Sequence, residues 1–303
     1  MRNSTVLIIT NSDSDLTKLK FAGSKILNVL SDEFIEFCGK TLTKDEEFLS
    51  KIREKYKYEK RERYAIMSED ITSPAMQKNS DVFNFLLLLF PSILSVEYIL
   101  SYQTSKEFTR YLDCFECEIK FINSDNLYFD ESNLNNINLF ISNYFPNYFE
   151  SKILKFPIIN YINAFESNMF HFSYVAFCIS LEGIIQGGHE LMYRIRRAIA
   201  IICGFDEKSS EVIFENMKKI YDLRSKIVHG EQFSEDLVSE YLYYLECLVS
   251  KTIIELIVDN IDDINILSKQ ITKSGFGEQN KLSTNWTEYI LNPKIEKTIY
   301  KKL

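Results

Sequence analysis

The chain has 303 residues, of which 46% are apolar, and its formal net charge at pH 7 is −8. The apolar content is enough for one large domain or two smaller ones, and the acidic balance excludes a surface coated with basic residues for unspecific DNA binding. A local basic groove is still compatible with it, because residues 190–230 hold eight Lys/Arg and six Asp/Glu, a balance of +2.

The six cysteines follow no regular spacing, which is typical of reduced thiols in a cytoplasmic protein. Cys114 and Cys117 form a CxxC pair, but no second pair or nearby histidines complete a zinc site, so we expect no metal and no cofactor. The most apolar window, residues 82–100, is interrupted by polar residues and Pro91 and falls short of the roughly 20 residues that a membrane helix needs. We therefore predict a cytoplasmic protein without a membrane span.

Residues 1–125 carry short patterns that favour a small mixed α/β region. Residues 6–10 form a β-branched run typical of a strand, whereas residues 24–37 fit either a helix or a strand. Residues 43–55 fit a helix, and the alternation of apolar and polar residues over 115–129 indicates one or two further strands.

A basic segment with interleaved tyrosines covers residues 51–63, which contain seven Lys/Arg and three Glu. Cations that alternate with aromatic rings can follow a nucleic-acid backbone and stack on its bases. The alternative is a charged helix face that only keeps the surface hydrated. The sequence alone leaves both interpretations open.

After residue 125 the apolar spacing changes to the helical period, which predicts a helical domain over 126–303. The expected helices cover residues 131–144, 148–165 with a break or kink at Pro157, 169–185, 190–203, 211–229 and 235–259. The tail, residues 262–303, fits either a docking arm or a flexible end. The predicted fold class is therefore mainly α, a helical bundle preceded by a smaller mixed α/β region.

The helix expected at 211–229, with a serine N-cap at 209–210, ends in the stretch that directs the functional analysis. The apolar stripe of this helix is predicted to consist of Ile213, Phe214, Met217, Ile220, Tyr221, Ile227 and Val228. Arg224 lies in the middle of this stripe, and a guanidinium is costly to bury without a partner, so packing alone does not explain Arg224. His229 follows five residues later, before the typical helix stop Gly230. Because five residues correspond to about 140° of rotation, the two side chains converge only where the helix ends or where a second copy completes the site.

Glu182 is the candidate partner of Arg224. It lies on the helix expected at 169–185, which is apolar nearly all round and is therefore predicted to be buried. Pairing would satisfy both charges, and breaking such a buried pair typically costs about 3–5 kcal/mol. The alternative interpretation is a core salt bridge that only orients two helices.

The Arg-x4-His pattern followed by glycine, in the sequence YDLRSKIVHG of residues 221–230, resembles the HEPN superfamily and, within it, the ApeA-like branch. The resemblance is strongest over residues 180–230, which include Leu181-Glu182 and Arg197-Ala198, and extends loosely over 81–260. It does not reach the first 75 or so residues.

This resemblance implies a helical bundle that acts as a metal-independent endoribonuclease in bacterial defence against phage. Arg224, His229 and Glu182 would be its catalytic residues, in a cleft that a homodimer forms by pairing the helix that ends at His229. An imidazole can move protons near neutral pH, and a guanidinium can hold a phosphate and stabilise its developing charge. The implied products carry 2′,3′-cyclic phosphate and 5′-OH ends.

The candidate RNA-binding residues are Ser225, Lys226, Lys219 and Arg197, and the expected partner is RNA, with tRNA as one candidate. Many catalytic family members carry Asn, Asp or His directly after the arginine, where this chain has Ser225. The region 1–125 would then be a sensor or regulatory domain. The alternative function is a non-catalytic HEPN-like module that binds RNA, a nucleotide or a protein partner.

Overall fold

The computed structural model describes residues 2–41, 46–68, 76–104, 109–117, 125–146, 148, 151–185, 190–260, 263–282 and 290–303. The chain divides into two compact units, Met1–Ser142 and Asn143–Leu303. It is mainly helical with one small antiparallel sheet, which confirms the predicted fold class at this level. Among the helices of the described residues, none is long and apolar enough to cross a membrane.

The first unit contains a five-stranded antiparallel sheet with the strand order β2-β3-β1-β4-β5. Its strands are β1 (Arg2–Thr10), β2 (Ser24–Asn28), β3 (Arg63–Ser68), β4 (Ser95–Thr104) and β5 (Thr109–Glu116). The strand predicted at 6–10 is confirmed and belongs to the central β1, where Val6 and Ile8 are fully buried. β-branched side chains suit this position because their restricted rotamers pack well on a pleated surface.

Four helices of the first unit are α1 (Asp32–Thr41), α2 (Glu46–Glu59), α3 (Met76–Leu89) and α4 (Leu134–Tyr144). The range 24–37, which fits either type of element, contains part of each, since β2 ends before α1 begins. Of the one or two strands predicted over 115–129, the structure describes only the last two residues of β5, which ends at Glu116. Beyond it, residues 118–124 lie outside the described part, and Leu127 makes only an isolated bridge to Ser12.

Two cations of the basic segment 51–63 form ion pairs inside the first unit. Arg63 is 1% exposed, and its Nη2 donates to Glu97 Oε1 at 3.2 Å. Lys55 Nζ lies 3.2 Å from Glu97 Oε1 and 2.9 Å from Glu116 Oε1. At these two positions the charge contributes to folding. Neither interpretation of the segment, as a nucleic-acid contact or as a hydrated helix face, predicts this role.

The chain just after residue 125 packs with the first unit. Leu127 donates its backbone N–H to Asn11 O at 2.9 Å, which ties this part of the chain to the end of β1. The Phe140 ring on α4 stacks on Phe85 of α3 with 6.3 Å between centroids. The packing boundary after Ser142 therefore comes later than the boundary at 125 drawn from hydrophobic spacing, because spacing reports the type of element and not its neighbours.

The second unit is built from α5 (Lys155–Glu166), α6 (Phe170–Ile184), α7 (Leu191–Cys203), α8 (Glu207–His229), α9 (Glu235–Asp259), α10 (Ile264–Lys273) and α11 (Pro293–Ile299). The helices predicted at 169–185, 190–203 and 235–259 are confirmed to within one residue at each end. In place of the break or kink predicted at Pro157, the structure has a helix start, since α5 begins at Lys155 and the proline occupies its first turn. A proline there breaks no helical hydrogen bond.

The start of α8 differs from the predicted serine cap at 209–210. Asp206 is the N-cap, and its carboxylate accepts from the Ser209 N–H at 2.7 Å. The Ser209 hydroxyl in turn accepts from the Asp206 N–H at 3.0 Å, which completes a capping box. The aspartate is favoured as the cap because its negative charge also complements the positive end of the helix dipole.

The described part of the tail is docked on the helices of its own unit. The fully buried Asn216 of α8 donates to Lys301 O at 2.8 Å and accepts from the Leu303 N–H at 3.0 Å. Tyr244 of α9 donates its hydroxyl to Ile299 O at 3.1 Å. Of the two interpretations of the tail, the docking arm fits these contacts.

A buried carboxyl at the end of α9 leads to a prediction on stability. Asp259 is 7% exposed, and neither of its carboxyl oxygens meets a donor in the described part of the chain. Burial, together with the neighbouring Glu255, raises the pKa of Asp259 from 3.8 to about 7. Between these two values the folded protein retains a proton that the unfolded chain has released, so stability should fall as the pH rises through this window.

Asp259→Asn removes this penalty and should raise the free energy of unfolding at about pH 8 by about 1–3 kcal/mol. It should also flatten the dependence of stability on pH between about 4 and 7. Urea unfolding followed by circular dichroism across this range measures both effects. Asp222→Asn, an exposed site on α8, is the control and should leave the slope unchanged. An Asp259→Asn protein with the wild-type slope would contradict the prediction.

Candidate functional site

The candidate site lies where α6 and α8 contact each other in the second unit. Tyr174 of α6 donates its hydroxyl to Ile220 O at 3.0 Å, and Tyr221 of α8 donates to Cys178 O at 3.4 Å. Both tyrosine side chains are buried, so these bonds hold the two helices inside an apolar environment. The hydroxyl at the end of an apolar ring is the feature that makes tyrosine suitable here, and sequence reasoning missed both residues in this role.

The burial predicted for α6 is correct along most of the helix and wrong at its beginning. Phe177 and Leu181 are fully buried, whereas Phe170 and Phe172 in the first turns are 47% and 57% exposed. Apolar residues all round a helix therefore do not guarantee a buried helix end.

The predicted ion pair between α6 and α8 is present. Arg224 Nη2 donates to Glu182 Oε2 at 3.3 Å, and Arg224 Nε lies 3.2 Å from Glu182 Oε1 without hydrogen-bond geometry. The side chains of Arg224 and Glu182 are 26% and 23% exposed, so the pair is half-buried and not in the core as predicted. The reason is its place near the end of α6, which stops two residues after Glu182.

The electrostatics of the pair follow from this partial burial. Burial raises the pKa of Glu182, and the Arg224 charge and the Tyr221 hydroxyl oppose the rise without cancelling it. The pKa of Tyr221 is raised well above its ordinary value, mainly by burial, so its hydroxyl stays protonated. Within the described residues, Arg224 Nη1 donates to no acceptor. The guanidinium therefore keeps donors that a ligand can use.

His229 lies in the last turn of α8, where its side chain is exposed. It forms no hydrogen bond or ion pair with any other residue that the structure describes. The helix ends directly after it because Gly230 adopts a left-handed φ of 69°. The structure thus brings Arg224 to Glu182, whereas no described contact joins His229 to either of them in a single copy.

The last turn of α8 is exposed to solvent. Val228, predicted to lie on the apolar face, is 48% exposed, whereas Leu223, which the predicted stripe leaves out, is 4% exposed. The buried face therefore ends at Leu223, before the last turn of the helix. As a result the final turn presents an apolar side chain and an imidazole together to the surroundings.

The four candidate RNA-binding residues fall into two groups. Lys226 is exposed and Ser225 half-buried, and neither side chain forms a hydrogen bond or ion pair with another described residue. Lys219 donates to the backbone oxygen of Leu303. Arg197 donates from Nη1 to Ile271 O and from Nη2 to Ser274 O, both at 2.6 Å, at the end of α10. The last two cations thus have structural partners, and an RNA contact by any of the four stays a prediction.

The described residues contain no group of three or more His, Cys, Asp or Glu side chains arranged to hold a metal ion. Comparisons of the chain with protein-family models, with curated proteins and with solved structures find no match. The resemblance to the HEPN superfamily therefore rests on the motif residues themselves, and the catalytic roles of Arg224, His229 and Glu182 stay predictions.

Proposed function

We propose that this chain is a metal-independent endoribonuclease of the ApeA-like HEPN type that acts in bacterial defence against phage. The observation that carries the proposal is the half-buried Arg224, which Glu182 holds in place while part of its guanidinium stays accessible. Five residues further on, the same helix ends with the exposed His229. A cation and an imidazole at one helix end suit the cleavage of a phosphodiester.

In the proposed reaction the RNA supplies its own nucleophile, the 2′-OH. One His229 takes the proton of this hydroxyl while its oxygen attacks the adjacent phosphorus, and a second imidazole gives a proton to the departing 5′-oxygen. The Arg224 guanidinium donates to the phosphate oxygens and stabilises their increasing negative charge. The products are a 2′,3′-cyclic phosphate and a 5′-OH end.

A second copy of the chain is required because one imidazole cannot act as base and acid in the same step. Pairing the ends of two α8 helices about a two-fold axis would supply two copies of Arg224 and of His229. It would also overcome the offset of about 140° between these side chains on one helix. The exposed Val228 in the same turn supports this arrangement, since its burial between copies would favour association.

Glu182 would act as a positioning residue. By accepting from Nη2 it fixes the orientation of the Arg224 guanidinium, and it leaves Nη1 for the phosphate. Ser225 and Lys226, next to Arg224 on the helix, are the proposed contacts for flanking phosphates. Lys219 and Arg197 could reach RNA only with atoms that their backbone partners leave unused.

The second candidate function is a non-catalytic helical module that binds RNA, a nucleotide or a protein partner. It is favoured by one observation, namely that Arg224 already has a carboxylate partner within the same copy. In that case the ion pair would serve to orient α6 against α8, and His229 would be dispensable.

Cleavage of labelled RNA in the presence of EDTA distinguishes the two functions. The wild-type protein should cleave and leave 2′,3′-cyclic phosphate ends, and His229→Ala should lower the rate by about 10²–10⁴ because it removes the proton-transferring group. The matched control is His171→Ala, which removes an imidazole from the same unit and should cleave normally. Normal cleavage by His229→Ala, or RNA binding without cleavage by the wild-type protein, would rule out the nuclease.

The end of α8 provides a test of the dimer. Val228→Lys should convert the protein to a monomer in sedimentation experiments and abolish cleavage, because like charges would meet across the two-fold axis. The added lysine attracts RNA, so a lost activity could not be attributed to repulsion of the substrate. Ile266→Lys, at a site on α10 that is 50% exposed, is the control and should stay dimeric. A monomeric Val228→Lys protein with full activity would contradict a shared site.

The contribution of the ion pair to folding is measured by a double-mutant cycle on Glu182→Gln and Arg224→Gln. We expect each change to lower the free energy of unfolding by about 1 kcal/mol, with a coupling of similar size, because the pair is half-buried. Cleavage should disappear in Arg224→Gln and be only weakened in Glu182→Gln, which keeps the guanidinium. Equal cleavage in the two variants, with the loss of stability alone, would favour the structural role.

A further inference from the structure

A cavity of about 440 Å³ lies in the second unit, with walls from α7 and α10. Two cations line it, Arg194 and Arg197, which are three residues apart and therefore on one side of α7. No Asp or Glu side chain is among its lining residues in the described part of the chain. The cavity thus combines two positive charges with a lack of lining carboxylates, which favours an anionic ligand.

The described part of the chain holds the Arg197 guanidinium in place with uncharged partners. Its two carbonyl acceptors, Ile271 O and Ser274 O, lie 2.6 Å away and carry no net charge. These bonds fix the plane of the guanidinium and leave its positive charge intact. An arginine fixed in this way is preorganised to bind an anion, because little side-chain entropy is lost on binding.

The rest of the lining supplies apolar surface and hydroxyl groups. Ile185 and Ala198 are buried apolar residues, and Tyr193 is 51% exposed with its ring against Phe214, 5.9 Å between centroids. Ser268 and Thr272 on α10 also line the cavity, and the Thr272 hydroxyl donates to Ser268 O at 2.8 Å. A ring and an apolar wall beside two cations can bind the non-polar portion of an organic anion, with hydroxyls for its polar atoms.

We propose that this cavity binds a small organic phosphate. The phosphate would meet Arg194 and Arg197, and an apolar or aromatic portion would pack against Tyr193 and the buried wall. The volume is within the usual range for small-molecule sites, about 300–1,000 Å³. The site combines α7 with α10, which lies beyond residue 260, where the resemblance ends. It does not depend on the proposed nuclease activity and would exist in either candidate function.

Isothermal titration of the full chain with AMP tests this proposal. We expect one saturable site with a Kd on the order of 10–100 μM, competition by inorganic phosphate, and binding of adenosine that is at least about tenfold weaker. Arg194→Gln should weaken AMP binding by about tenfold or more. The matched control, Arg196→Gln, removes a cation that does not line the cavity, since its guanidinium stacks on Phe214 and pairs with Glu215. It should bind AMP normally.

A second variant keeps the test independent of folding defects. Thr272 is exposed, so Thr272→Glu should leave the melting temperature unchanged and abolish AMP binding by placing a negative charge at the cavity. The proposal is overturned if AMP and phosphate show no saturable binding, if adenosine binds as well as AMP, or if Arg194→Gln and Thr272→Glu bind normally. Binding of RNA oligonucleotides without binding of AMP would also overturn it. Because the readout is binding, an inactive nuclease would not affect the result.

Discussion

The ion pair between Glu182 and Arg224 is the constraint on which the candidate site depends. A guanidinium on the apolar face of α8 needs a partner, since its desolvation would otherwise cost several kcal/mol. Glu182 meets this need from α6, and the two tyrosine hydroxyl bonds beside it hold the helices at a fixed separation. The orientation of Arg224, and with it the direction in which the last turn of α8 points, follows from how these two helices pack.

The fold could be predicted from the sequence where the apolar residues of an element recur with a clear period. α6, α7 and α9 were placed to within a residue because their apolar residues recur at helical spacing. The β4–β5 hairpin was missed, since residues 95–104 continue an apolar run that periodicity cannot assign to helix or strand. The boundary at 125 was early for a similar reason. Spacing reports local structure, whereas the packing of Phe140 on Phe85 is a long-range contact.

The candidate site could be predicted only in part. The pairing of Glu182 with Arg224 follows from two charges on apolar helix faces, and that reasoning needs no alignment. The exposure of Val228 and the use of Arg197 to cap α10 could not be inferred, because both depend on where neighbouring helices end. Whether two copies meet at the end of α8 is a property of the assembly. Helical geometry alone indicates that a single copy keeps His229 and Arg224 on different sides.

Three arginines of this chain show why burial of a cation is not by itself a sign of function. Arg63 is 1% exposed and donates to the carboxylates of Glu59 and Glu97, so these carboxylates compensate its charge inside the first unit. Within the described ranges, Arg224 has one carboxylate partner, and its Nη1 donates to no acceptor. Among the residues that the structure describes, Arg197 has neutral carbonyl partners alone, which orient the guanidinium without adding a negative charge. The capacity to bind a phosphate should therefore increase from Arg63 to Arg224 to Arg197, in the order in which carboxylate partners decrease.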